Sequence, residues 1–338
     1  MKKSRRFAWA DGYASTDVLL VRWLHNGAQN TVLRAPAQGF LTPDVDRLLF
    51  HDVAFSSDGR YVLGLSSDPV RLLVWHRSSS KFEGIYEIGA PRQSSKVDMP
   101  LLRVSSKKSR VLITCGKHIW LGRLEKGIYL VEGEIESDHS ISAIDLSYNG
   151  RYAAFGSDQG HLIEMDLANP RKTQLCFSLA HRRARRVAAV SYSREADALI
   201  AAFQILSKRS PGTVLKRWCR DGDDLLKKAD PMATAHTDHA LQADSRHPRL
   251  VLPQILHPTE LTLLDATRIA FLDASHAVQC YSLKSNDRVS QSLMRSARNA
   301  PKHTMHSIAV YWSGIQAFLL GCDRQGVVFR WPLVYGFG

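Results

Sequence analysis

Two parts of the chain hold side chains whose types and spacing could do chemistry. The first is basic. His181-Arg-Arg-Ala-Arg-Arg186 gathers Arg182, Arg183, Arg185 and Arg186 in one short run, and Ser207-Lys-Arg-Ser-Pro-Gly212 adds Lys208 and Arg209. A third run, from Met294 to His303, contributes Arg295, Arg298 and Lys302. Crowded guanidinium groups repel one another, and the repulsion is relieved when they meet carboxylates or phosphates through paired hydrogen bonds. A single charged run is more plainly a solvated loop, so the weight falls on whether these runs converge. The second part is His236, Asp238, His239, Asp244 and His247, inside a long stretch at 229–260. Imidazole and carboxylate can ligate zinc. Here His236 and His239 are spaced without the His-Glu-x-x-His frame and no cysteine is near, which predicts a surface loop and no metal.

No Gly-x-Ser-x-Gly elbow, phosphate-cradling Gly-x4-Gly-Lys loop or dinucleotide glycine fingerprint is present. Asp145 and Asp265 fall on strand-like runs, where pairing with backbone or a neighbouring Arg is the expected role. The chemistry on offer is therefore binding, without a cofactor, rather than catalysis.

Composition narrows the class of partner. The 338 residues carry 45 Lys+Arg against 32 Asp+Glu, a formal charge of +13 that must lie on the surface and favours acidic partners. With 44% hydrophobic residues the chain can bury a core, and no run approaches the ~18 apolar residues that cross a bilayer. Cys115, Cys176, Cys219, Cys280 and Cys322 are odd in number and never form a Cys-x-x-Cys pair, so they read as small core residues in a reducing compartment. The basic start Met1-Lys-Lys-Ser-Arg-Arg6 is followed by Phe7-Ala-Trp-Ala-Asp-Gly12 rather than by the apolar core of a secretory leader. Cytoplasm is the expected location, with the nucleus as alternative.

The elements that must position these residues are short and repeated. Val53-Ala-Phe-Ser-Ser-Asp-Gly-Arg-Tyr61 lies on Ile144-Asp-Leu-Ser-Tyr-Asn-Gly-Arg-Tyr152 at an offset of 91, aligning Ser56 with Ser147, Gly59 with Gly150 and Arg60 with Arg151. In each copy an alternating strand runs into Asp-Gly or Asn-Gly, a pair that supplies the positive φ angles of a tight hairpin, and a second apolar strand follows. A third strand then ends on a bulky residue. Trp23, Trp75, Trp120, Met165, Trp218, Tyr281 and Trp331 mark seven such ends, at steps of 52, 45, 45, 53, 63 and 50 residues. Those steps fit four short antiparallel strands with turns and leave no room for helical crossovers.

On these residues the chain resembles a WD40-type β-propeller with degenerate repeats. Ser56-Ser-Asp-Gly-Arg-Tyr61 is close to the family's first hairpin, and Trp75, Trp218 and Trp331 stand where its repeat-ending Trp falls. His139 and His181 lie near its Gly-His position, while no unit keeps a Trp-Asp pair, Met165-Asp166 being the nearest. The resemblance implies an all-β fold in one domain spanning 1–338, with seven blades, or six and an N-terminal extension, closed by N- and C-terminal strands. It also implies which loops share a face. The runs at 181–186, 207–212 and 294–303 and the insertion at 229–260 all fall on the top, and elsewhere that face is acidic or neutral, through Asp44, Asp46, Asp68, Glu136, Asp138 and Asp158. The expectation is a scaffold within a larger assembly, binding an acidic protein through the basic top of blades five to seven. RNA or another polyanion at the same patch is the alternative, weakened by the lack of interleaved aromatics for base stacking, and a channel-mouth enzyme is the third.

Overall fold

The computed structural model describes residues 6–8, 18–23, 30–34, 49–67, 69–89, 99–169, 173–178, 184–193, 196, 198–205, 212–219, 261–265, 268–272, 278–282, 305–313, 316–323 and 328–333. All regular structure among them is β-strand, and every strand pair whose register is resolved is antiparallel. Seven sheets follow one another along the chain. The first joins β1 (Arg6–Ala8), β2 (Val18–Trp23) and β3 (Asn30–Arg34). The next three have four strands each: β4 (Leu49–Phe55) to β7 (Phe82–Gly89) with β5 (Tyr61–Ser67) and β6 (Val70–His76) between them; β8 (Leu101–Val104), β9 (Arg110–Cys115), β10 (His118–Glu125) and β11 (Ile128–Glu136); and β12 (Ile141–Leu146), β13 (Tyr152–Ser157), β14 (His161–Asp166) and β15 (Thr173–Ser178). Three sheets of three described strands complete the set: β16 (Ala184–Tyr192), β17 (Ala198–Ile205) and β18 (Gly212–Cys219); β19 (Leu261–Asp265), β20 (Arg268–Leu272) and β21 (Val278–Ser282); and β22 (Met305–Ser313), β23 (Gln316–Asp323) and β24 (Val328–Leu333).

The chain divides into two compact units, 1–150 and 151–338. Within the first, β4, β8 and β12 adjoin in sequence order, and within the second so do β16, β19 and β22. Six of the seven predicted strand-ending residues stand in the third strand of their sheet: Trp75, Trp120, Met165, Trp218, Tyr281 and Trp331. Trp23 differs, standing in β2, the middle strand of the first sheet. Where side chains are described these residues are core. Trp75 is fully buried against Phe50 and Phe82, with Gly64 opposite because a Cβ there would come 2.9 Å from Phe50. Trp120 packs between two sheets, in a cluster with Leu63, Leu72 and Val74 on one side and Ile113 and Leu124 on the other. A Cβ on Gly89 would come 2.8 Å from its ring.

The hairpin turns depart from the two-residue form that Asp-Gly suggests. Gly59 has φ 63° and Gly150 has φ 68°, but neither Asp58 nor Asn149 shares that conformation. The turn is instead held by a buried serine at the end of the first strand. Ser56 Oγ donates to Asp58 and accepts the backbone N–H of Tyr61, while Ser56 N–H donates to the Tyr61 carbonyl. Ser105 with Arg110 and Ser193 with Ala198 make the same two backbone links, and Ser147 Oγ donates to Asn149 as Ser56 does to Asp58. All four serines are buried. One hydroxyl thus satisfies strand-end groups that would otherwise be buried without partners.

The last sheet has three described strands, and β1 is hydrogen-bonded to β2, Arg6 opposite Trp23.

Candidate functional site

Of the predicted binding residues, Arg185 and Arg186 fall on β16, and only the Arg186 side chain is described. Arg182, Arg183, Lys208, Arg209, Arg295, Arg298 and Lys302 lie outside the described residues, as do His236, Asp238, His239, Asp244, His247 and the whole of 229–260. The strands leading into the two basic runs are nonetheless in register. Ala184, the first residue of β16, faces Ile205, the last of β17, and Ile205 in turn faces Gly212, the first of β18. The run ending at Arg186 and the connection at 206–211 therefore begin from the same end of one sheet.

Local irregularity shapes this end. Ala184 pairs with Ile205 and Arg186 with Gln204, so Arg185 has no partner residue and sits in a β-bulge; a second shift follows between Val187 and Ala189. Bulges bend the strand and re-aim its side chains. Arg186 is exposed and makes no ion pair among the described residues, whereas its neighbour Val187 and its partner Gln204 are buried.

Two contacts seat β16 on the preceding sheet. Gly156 on β13 meets Val187 so closely that a Cβ would lie 2.3 Å from Val187 Cγ1, and no other residue type fits there without movement. Tyr192 Oη donates to buried Glu164 Oε1 at 2.6 Å, a short bond that anchors the other end of β16. Beside β16, the strand β17 is apolar on both faces: Leu199, Ile200, Ala201, Ala202 and Phe203 are fully buried, and Phe203 meets Trp218 edge-on at 6.3 Å. In the same unit Arg151 is committed to Asp166 at 3.1 Å. Burial would raise the Asp166 carboxyl, but hydrogen bonds from Arg151 and the Ala168 N–H, then the Arg151 charge, hold it below the usual carboxylate range.

No group of three or more His, Cys, Asp or Glu side chains among the described residues could hold a metal ion. Cys115 is buried and forms no disulfide among the described residues. Asp145 is half-buried on β12, and Asp265 stands opposite Arg268 across the β19–β20 ladder. No helix among the described residues is long and apolar enough to cross a membrane.

Ser105 and Ser193 are structural residues that the repeat comparison did not reach. Their turns place Ser109 (φ 49°) and Ala196 (φ 60°) in the left-handed region instead of glycine, which hides them from a search for Asp-Gly. The signal they do leave is a serine five residues ahead of the residue that opens, or closely precedes, the second strand.

The sequence matches no family model and no curated protein. By structure 1209 solved chains match, so the arrangement is common and brings no activity with it. One is a functionally unknown protein from Desulfotomaculum acetoxidans DSM 771, similar over 85% of each chain with a TM-score of 0.51 and 11% identity. That likeness concerns the fold alone.

Proposed function

We infer that the seven sheets are blades of a WD40-like β-propeller and that the chain is a non-enzymatic scaffold that binds an acidic protein partner through the basic end of β16, β17 and β18. Support for the propeller comes from the succession of small antiparallel sheets, the strand-ending residue in the third strand of six of them, and the adjoining first strands within each unit. Counting β1, β2 and β3 as a blade makes seven.

The observation that carries the binding role is the register Ala184–Ile205–Gly212, which starts both basic runs from one sheet end, next to an exposed Arg186 that makes no ion pair among the described residues. Carboxylates are the favoured counterpart, because guanidinium groups bind them bidentately and no aromatic in 181–186 offers a platform for bases. The work done is positioning: a rigid sheet holds the arginines and the partner supplies the charge they lack.

The test compares polyglutamate and a single-stranded RNA as ligands over a range of salt concentrations. Tighter binding of polyglutamate, lost when Arg182, Arg183, Arg185 and Arg186 are changed to Glu, supports the proposal. Preference for RNA, with affinity falling linearly in log salt as counterions are released, would replace it with polyanion binding. Unchanged binding by the four-Glu variant would remove both.

A further inference from the structure

The outer strand β11 has the features of a second docking site, of opposite charge. Among the described residues it is the edge of its sheet, paired on one side only, with β10. An edge presents a row of unpaired backbone groups, and native edges are usually kept free of exposed apolar side chains. The sibling edge β7 obeys this: its acids Glu83 and Glu87 are paired with Lys81 and Arg71, and it exposes no large hydrophobic residue. β11 does not. Three large hydrophobic side chains are exposed among the described residues, and two belong to this strand, Ile128 at 55% and Val131 at 61%. A shallow hollow of about 400 Å³ lies at its start, lined by Glu125, Lys126, Ile128 and Leu130.

Register sorts the side chains of β11 onto two faces of different chemistry. Leu121 faces Gly133 and Gly122 faces Val131, so Glu132 is left over as a bulge and the alternation resets around it. One face then carries Ile128, Leu130, Gly133 and Ile135. The other carries Tyr129, Val131, Glu134 and Glu136, with Tyr129 buried beside Trp120 and Leu124. Arg123 is already committed to Glu125 at 3.1 Å and Glu132 at 3.6 Å. Among the described residues Glu136 has no ion pair, and Glu134 has only His118, whose Nδ1 lies 3.3 Å away but off the hydrogen-bonding direction. A Cβ on Gly133 would meet nothing within 4 Å, so the space beside the strand is open at its middle.

We propose that β11 accepts an extended basic segment of a partner protein as a fifth strand, with aliphatic residues of that segment continuing the Ile128–Leu130–Ile135 face and alternating Lys or Arg residues meeting Glu134 and Glu136. Strand addition draws affinity from main-chain hydrogen bonds and specificity from alternate side chains. Both are available here, and the alternation required of the partner follows from the two faces of β11.

The experiment uses the full chain and three eight-residue peptides, one residue fewer than β11 because the bulge leaves Glu132 over. The first alternates Lys and Val, the second has the same composition in doubled order (Lys-Lys-Val-Val), and the third alternates Glu and Val. Hydrogen exchange of residues 128–136 is followed with each. Expected are binding of the first peptide only, new protection of the β11 amides, and at least a tenfold loss of affinity in the double variant Glu134→Lys, Glu136→Lys, with its fold checked by circular dichroism. Equal binding of the doubled-order peptide, binding without new amide protection, or no binding would each overturn the proposal. So would association of the chain with itself through β11 when no peptide is present. The peptide series on the unaltered protein decides the matter even if the double variant fails to fold.

Discussion

The acidic edge at β11 and the basic end of β16, β17 and β18 are built on opposite plans. At β11 the charged and apolar side chains are fixed by strand register, and the backbone itself is part of the surface. At β16 the register only gathers two loop openings, and the charge belongs to the runs beyond them. A surface written into a ladder can demand a pattern from its partner; one carried by loops on a seated strand can demand only charge. The first should therefore discriminate peptides by residue order and the second by net charge, and each can be broken separately.

The largest effect is expected from reversing Arg182, Arg183, Arg185 and Arg186 to Glu. Polyglutamate binding should fall on the order of a hundredfold, about 2.7 kcal/mol at ~1.4 kcal/mol per decade, while binding of the alternating Lys/Val peptide is unchanged; calorimetric titration of both ligands checks the separation. Next comes Gly156→Ala, which drives a methyl into Val187. Overpacking of this kind costs about 1–3 kcal/mol, read as a lowered midpoint in urea. Because Val187 adjoins Arg186, polyglutamate affinity should drop as well, and peptide affinity should not.

A smaller effect comes from pH. His51 on β4 is half-buried, and that burial lowers its pKa, with the charge of Asp52 opposing. The unfolded chain takes up the proton more readily than the folded one, so this contribution to stability is whole above about pH 6.5 and declines as pH falls toward the depressed folded value. Thermal unfolding across this window should show the decline, and His51→Gln should flatten it. The smallest change is expected at the hairpin that leads into β11. Lys126 (φ 49°) and Gly127 (φ 87°) are both left-handed, the two-residue turn that favours Asn-Gly. Lys126→Asn should raise the urea midpoint slightly and leave the order-sensitivity of peptide binding intact.

The sheets were legible because their apolar residues alternate and because Ser56-Ser-Asp-Gly and Ser147-Tyr-Asn-Gly stand 91 residues apart. The turn geometry was less so. Asp-Gly advertises two positive φ angles, yet the serine hydroxyl takes over the strand-end hydrogen bonds and leaves only the glycine left-handed. Of the candidate site, the arginines were legible as composition, and the expected convergence of their runs came from the resemblance; the structure adds the register that sets Ala184, Ile205 and Gly212 at one sheet end. The β11 edge left no sequence signal at all: Ile128, Leu130 and Val131 look like core residues, and only the pairing and the Glu132 bulge reveal which of them face outward. Runs of charge are visible in one dimension; an exposed edge exists only once its neighbours are known.

The serine turns have an evolutionary consequence. Where a single hydroxyl closes each hairpin, the four residues it spans are released from any fixed identity, as Ser-Asp-Gly-Arg, Ser-Lys-Lys-Ser and Tyr-Asn-Gly-Arg illustrate. Copies of a duplicated unit can then diverge until their kinship survives as little more than a spaced series of hydroxyls, which is how a lineage of repeats can keep its scaffold while losing its family signature.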